Sequence, residues 1–205
     1  MIQCENWLKV LRQQTFAKLD SGNFWIKVVD NLISQNRLIA VIRNHKKANQ
    51  LRDEQMASNL EWLIKTKYPK EKIIVWAANI HTQKSRINGV SSMGSVLFHR
   101  LQGEIKMYSL GFTSYSGSSA RIGQPPYPIK APDNSSVETW INPEYQYAFI
   151  DYTRFNRQHP GSIAPFHQRG WIYYSSKKEW NKIYDGIFFI RTMEPCKKSV
   201  ADLGR

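Results

Sequence analysis

Residues 47–78 constrain the fold of this 205-residue chain more than any other part of the sequence. Between positions 47 and 67 apolar residues repeat at close to 3.6 residues with no glycine or proline, which predicts a helix. Pro69 ends that helix, because the residue before a proline avoids the α region. The apolar run IIVWAA at 73–78 is typical of a strand buried on both faces. A helix, a turn and a buried strand together form half of a parallel α/β unit.

The rest of the chain alternates between helical and strand-like segments. Helices are predicted at 5–19, from a cap at Ser21 or Asn23 to about Asn36, at 93–102, and briefly at 137–141. Strands are predicted at 105–112, 147–152, 170–174 and 184–190, and a proline-rich loop at 124–136. No repeat or linker divides the chain. We therefore expect one α/β domain over residues 1–205, a single unit with a mostly parallel sheet flanked by helices.

The net charge of +13 comes from 29 Lys and Arg residues against 16 Asp and Glu residues. Such a balance invites a nucleic-acid interpretation, but the basic residues alternate with acidic ones and no nucleic-acid-binding motif is present. A nucleic-acid partner is therefore not expected. The apolar runs are strand-sized, which excludes a transmembrane helix and a membrane partner, and the first residues lack the apolar region of a signal peptide. These features predict a cytoplasmic protein.

Several common kinds of catalytic site have no support in this sequence. The two cysteines lie near opposite ends of the chain and the five histidines lack metal-ligand spacing, so we expect no metal and no cofactor. Gly89 and Gly94 fit neither nucleotide-binding glycine pattern. The sequence also contains no GxSxG motif, which argues against a serine nucleophile of the α/β-hydrolase type.

Four residues near the predicted helix and strand are candidates for chemistry. His81 and Asn79 follow the apolar run, where α/β sheets bind their ligands. Histidine can act as an acid or base near neutral pH, while Asn79 could fix its tautomer or donate to an oxyanion. Arg52 could hold an anionic or carbonyl oxygen, and Asp53 could orient Arg52 or a nearby histidine. The alternatives are a surface ion pair for Arg52 and Asp53, and a loop histidine without a partner for His81.

The succession of motifs carries more information than any single residue. LRDEQMASNLEWL occupies 51–63, IIVWAANIH occupies 73–81, SSMGSVL occupies 91–97, and YDGIFFIRTMEP closes the series at 184–195. Together with IKMYSLGFTSYSG at 105–117, these ordered blocks resemble the erythromycin esterase family over about residues 45–198. The resemblance implies an α/β fold with a deep cleft, and hydrolysis of an ester or a macrolide lactone by histidine-activated water, without a covalent nucleophile or an essential metal.

The resemblance also assigns roles to particular residues and points to two departures. It implies that His81 is catalytic and that Arg52, Asp53 and Asn79 bind substrate or support the site. Ala78 stands where the family usually has a histidine, and the family's chain is about twice as long. We therefore expect a chain that lacks the N-terminal half of the family fold, including its general base.

Two functions follow from that expectation. The first is a hydrolase, or its C-terminal part, acting on a small-molecule ester or macrolide-like substrate, in the context of antibiotic resistance. The second is a non-catalytic remnant of the same fold that binds a small molecule or a protein. A complementing N-terminal half or self-association is the expected partner interaction.

Overall fold

A computed structural model describes residues 2–16, 18–121, 124–161, 163–171 and 174–195. Contacts between residues group the chain into two compact units, Met1–Met107 and Tyr108–Arg205. Among the described residues, the regular elements of the first unit are helices and every strand lies in the second unit, so the α/β class is confirmed. A single domain over residues 1–205 stays a prediction.

Five helices build the described part of the first unit: α1 (Ile2–Phe16), α2 (Phe24–Ala40), α3 (His45–Trp62), α4 (Asn79–Thr82) and α5 (Met93–Leu101). The predicted long helix is confirmed as α3, which continues as a π-helical turn over Leu63–Lys67. Asn23 caps α2 and Asn44 caps α3, because each side-chain oxygen accepts a backbone N–H that the helix leaves without a partner. None of the helices in the described part of the chain has the length and hydropathy needed to cross a membrane.

The core of the first unit lies where α3 meets α5. Ala57 of α3 and Leu101 of α5 are fully buried, and Met93 and Leu97 are nearly so. Ser92 starts α5 with a capping box, in which its hydroxyl accepts the Ser95 N–H and its own N–H donates to the Ser95 hydroxyl. Packing and capping together fix where the N-terminus of α5 lies on α3.

The predicted buried strand at 73–78 is wrong for this structure. These residues have no regular secondary structure, and the side chains of Ile74 and Trp76 are 91% and 83% exposed. A buried strand needs neighbouring strands for its backbone groups, whereas every strand of the described residues lies in the second unit, from Leu110 onward. An apolar run can predict a strand, but it does not show whether a second strand lies beside it.

The second unit holds a four-stranded sheet in the order β2-β1-β6-β3. Its strands are β1 (Leu110–Ser119), β2 (Tyr127–Ile129), β3 (Tyr147–Asp151) and β6 (Gly186–Met193). β1 and β6 are parallel, but β2 pairs with β1 and β3 pairs with β6 in antiparallel fashion. The prediction of a mostly parallel sheet is therefore wrong. One reason is that about seven residues separate Ser119 from Tyr127, which is too few for the crossover that a parallel pair of neighbouring strands needs.

Several smaller elements complete the second unit and change the predicted boundaries. The strand expected at 105–112 begins only at Leu110, and β2 lies inside the segment predicted to be a loop. Of the strand expected at 170–174, residues 172–173 lie outside the described part, and Gly170, Trp171 and Tyr174 are not in a strand. The neighbouring strands β4 (Phe166–Gln168) and β5 (Ser176–Lys178) pair in antiparallel fashion. The patterns missed the short helices α6 (Tyr152–Gln158) and α7 (Trp180–Ile183).

Candidate active site

His81 lies on α4, a single helical turn that follows the irregular segment. Ala78, directly before this turn, has an extended backbone conformation, so the chain changes direction there. The turn carries the His81 side chain back onto α3, and only 17% of that side chain is exposed. A histidine held in this way is neither fully solvated nor sealed in the core.

Asp53 anchors one side of the imidazole ring. Its carboxylate oxygen Oδ1 lies 2.7 Å from His81 Nδ1 and accepts the backbone N–H of Met93 at 2.9 Å. Met93 is the first residue of α5, so the carboxylate lies at the positive end of a helix. The Asp53 side chain is 8% exposed, and these two contacts compensate the burial of its charge.

Arg52 contacts the other ring nitrogen. Its Nη2 lies 2.9 Å from His81 Nε2. A guanidinium group only donates hydrogen bonds, so Nε2 must be the acceptor and carry no proton. The proton of the neutral ring is then on Nδ1, which donates to Asp53. The geometry therefore specifies both the tautomer and the neutral state of His81 in this arrangement.

The N-terminus of α5 also holds the backbone next to His81. The Ser92 hydroxyl donates to the carbonyl oxygen of Gln83 at 3.1 Å. Gly94 packs so closely on the same loop that a Cβ there would lie 2.7 Å from the Thr82 carbonyl carbon and oxygen and from the Gln83 carbonyl oxygen. Such distances leave no room for a side chain. The start of α5 thus holds Asp53 directly, through the Met93 N–H. It holds His81 indirectly, through Thr82 and Gln83, the two residues that follow His81.

The structure brings together three of the four residues selected from the sequence. Arg52, Asp53 and His81 form one hydrogen-bonded group, and Asn79 lies half-buried at the first position of α4, where its carbonyl oxygen accepts the Thr82 hydroxyl. Their assigned roles stay predictions. Sequence reasoning missed the contributions of Met93 and Gly94, although the Ser-Met-Gly sequence at a helix start was a visible signal.

A second buried polar network lies in the other unit, around the fully buried carboxylate of Glu138. This carboxylate accepts hydrogen bonds from the hydroxyls of Thr113 and Ser136 and from the backbone N–H of Arg169. The Arg169 guanidinium donates to backbone carbonyls, and burial lowers its pKa. With no exposed surface, Glu138 is placed to stabilise the loop structure of this unit.

Among the described residues, neither a cluster of metal ligands nor the main cavity of the first unit gives further residues for the His81 site. Within the described ranges, no group of three or more His, Cys, Asp and Glu side chains could hold a metal ion. A surface cavity of about 560 Å³ lies between α2, α3 and the π-helical turn, lined by Phe24, Asn31 and Trp62 among others. Its lining is mostly apolar and includes none of the candidate residues.

Comparison with known proteins supports the motif-based resemblance. The sequence matches the family described as erythromycin esterase over residues 8–193. The chain belongs to the erythromycin esterase family. The resemblance inferred from the ordered motifs is thereby confirmed.

Among curated relatives, "Putative hydrolase YbfO" of Bacillus subtilis (strain 168) is 29% identical over 160 residues, covering 71% of this chain and 35% of that protein. Two solved structures show the same fold. One, the structure of a succinoglycan biosynthesis protein, has a TM-score of 0.65 at 19% identity. The other, a mutant of the erythromycin esterase EreC in its open conformation, has a TM-score of 0.62 at 16% identity.

A third solved structure, of a protein from Bacillus cereus, has a TM-score of 0.66 at 17% identity over 92% of this chain. The first two structures match 92% and 98% of this chain. The chain spans 48%, 53% and 49% of these three structures respectively, about half of each. At these identities the structural likeness establishes the fold alone, and chemistry has to be argued from the residues themselves.

Proposed function

We propose that this chain carries part or all of a hydrolase site of the erythromycin esterase type, in which His81 activates water to hydrolyse an ester or a macrolide lactone. The observation that carries the proposal is the contact of His81 with Asp53 on one nitrogen and Arg52 on the other. Membership of the family and the hydrolase description of the B. subtilis relative support the same reaction class.

Asp53 supports this chemistry by holding the ring in the tautomer that a base needs. With the proton on Nδ1 and the carboxylate beside it, Nε2 carries the lone pair that can accept a proton from water. The water oxygen then bonds to the ester carbonyl carbon, whose oxygen takes up the negative charge. Transfer of the accepted proton from Nε2 to the departing alkoxide completes hydrolysis and restores the neutral ring.

Arg52 is placed to stabilise the charge that forms on the carbonyl oxygen. Its guanidinium lies at Nε2, so it has to move aside before a water can reach the lone pair. Its N–H groups then remain within side-chain reach of the reacting carbonyl, where donors act on the developing oxyanion. We assign Asn79 a supporting contact to the substrate at the start of α4.

The decisive variant is His81→Ala, and the matched control is His99→Ala, an exposed histidine of α5. Loss of a positioned base lowers a rate by about 100- to 10,000-fold, so the hydrolysis of 4-nitrophenyl acetate and of erythromycin should fall by that range in the first variant only. Product formation is followed by absorbance and by mass spectrometry. If His81→Ala hydrolyses both compounds at the rate of the unmodified protein, the assignment is wrong.

A second candidate function is binding without turnover. It is favoured by the guanidinium that already occupies Nε2, and by Ala78 at a position where the resemblance implies a further histidine. Calorimetric titration with erythromycin, followed by analysis of the recovered ligand, separates the two functions. Heat of binding with intact ligand supports the second function, whereas ring-opened product supports the first.

A further inference from the structure

Among the described residues, Arg52 forms no ion pair, whereas three other arginines of the first unit do. Arg12, Arg37 and Arg100 each contact a carboxylate. Arg52 is exposed, and in the described part of the chain its hydrogen-bond partner is the uncharged Nε2 of His81. Its full positive charge is therefore matched by a neutral acceptor, on a residue that is exposed.

The neighbouring carboxylate does not take over this charge. Asp53 Oδ1 accepts from His81 and from Met93, and no ion pair joins it to Arg52. Asp53 is buried and is held by the Met93 N–H at the start of α5, whereas Arg52 is exposed. We therefore expect the contact at Nε2 to exchange more readily than the contact at Nδ1.

We propose that Arg52 is an anion-binding residue whose ligand is a carboxylate, and that this ligand draws the guanidinium off His81 Nε2. A guanidinium binds a carboxylate through two parallel N–H groups, and both partners are charged, so the new contact is stronger than one to a neutral nitrogen. The inference extends the proposed function. It rests on that function only in the step where the lone pair of Nε2, once Arg52 has left it, accepts a proton from water.

A carboxylate suits this position better than a phosphate. The Asp53 carboxylate lies directly behind the ring, so an incoming ligand with one negative charge meets less repulsion than a ligand with two. Ester hydrolysis itself releases a carboxylate, and an ester substrate with a nearby carboxylate would bring the same group. The site would therefore favour substrates that carry a carboxylate near the ester bond, and their acid products would compete for Arg52.

The experiment observes the imidazole nitrogens of His81 by ¹H–¹⁵N NMR at about pH 8, where an ordinary histidine is neutral. Acetate replaces chloride at constant ionic strength, so that general screening stays unchanged. We expect a saturable change of the Nε2 resonance in the unmodified protein and in Arg86→Gln, a control at an exposed arginine of the following loop. Arg52→Lys, which lacks the planar fork, should bind acetate about tenfold more weakly, and Arg52→Gln should give no response.

Three results would overturn the inference. The first is the same acetate response in Arg52→Gln as in the unmodified protein. The second is an Nε2 resonance that does not differ between these two proteins without acetate, because Arg52 would then not occupy Nε2. The third is saturation by inorganic phosphate but not by acetate, which would contradict the choice of a carboxylate. None of these readouts needs turnover, so this inference can fail while His81-dependent hydrolysis stands, and the reverse also holds.

Discussion

Replacing Asp53 with Asn removes a buried negative charge and leaves the shape of the side chain almost unchanged. The amide oxygen can still accept from His81 Nδ1 and from the Met93 N–H, the two donors that Asp53 holds at 2.7 and 2.9 Å. Hydrogen bonds to a charged group contribute about 1.5–3 kcal/mol, against about 0.5–1.5 kcal/mol for neutral pairs. Two weakened bonds therefore predict a loss of about 2 kcal/mol in the free energy of unfolding.

The same substitution should lower activity far more than stability. A neutral amide cannot offset the charge that the ring acquires when Nε2 accepts a proton, and the amide can rotate its NH₂ group toward Nδ1 and reverse the tautomer. A proton on Nε2 would then face the Arg52 donor. We expect ester hydrolysis to fall by about 100- to 10,000-fold, the range for disabling a positioned base and its orienting carboxylate.

Urea unfolding at neutral pH, NMR of the His81 ring and the 4-nitrophenyl acetate assay measure the three effects on one preparation. Asp133→Asn is the matched control, since Asp133 is exposed and its substitution should change stability by less than about 0.5 kcal/mol. The reasoning is refuted if Asp53→Asn unfolds at the urea concentration of the unmodified protein and keeps the same ring tautomer. That result would mean that Asp53 does not hold His81.

Three further predictions concern packing and pH. Gly94→Ala should cost about 1–3 kcal/mol because its Cβ would meet the Thr82 backbone, whereas Gly161→Ala, with open space around it, should cost less in the same urea experiment. Ile74→Lys should change the unfolding free energy by less than about 0.5 kcal/mol, because 91% of that side chain is exposed, and a loss above 1 kcal/mol would contradict its placement. Burial raises the pKa of Tyr152 well above its ordinary value, so the stabilising effect of the neutral phenol is complete below about pH 10 and is lost as the pH rises further. Between about pH 9 and 11, the free energy of unfolding should therefore fall less for Tyr152→Phe than for the unmodified protein. Equal slopes of this free energy against pH would contradict a role for the raised pKa of Tyr152.

The sequence-based predictions were accurate where a structure depends on residues close together in the sequence. They were wrong where it depends on pairing with distant residues. Helix α3 was predictable because its apolar repeat lies within one continuous segment without glycine or proline. The segment at 73–78 was not, since an apolar run shows that residues prefer burial but not which strand will lie beside them. Strand β2 was missed for a related reason: only its pairing with Ser119 and the residues before it gives the proline-rich stretch a regular structure.

The sequence by itself determined the family, through motifs whose order is preserved along the chain, and it selected Arg52, Asp53 and His81 as candidates. Only the tertiary structure decided how they meet. Twenty-eight positions separate Asp53 from His81, and their contact depends on a helical turn folding back and on α5 starting at Met93. The tautomer of His81 and the contact of Arg52 with Nε2 follow from distances between atoms, because hydrogen-bond direction depends on geometry that no residue pattern encodes.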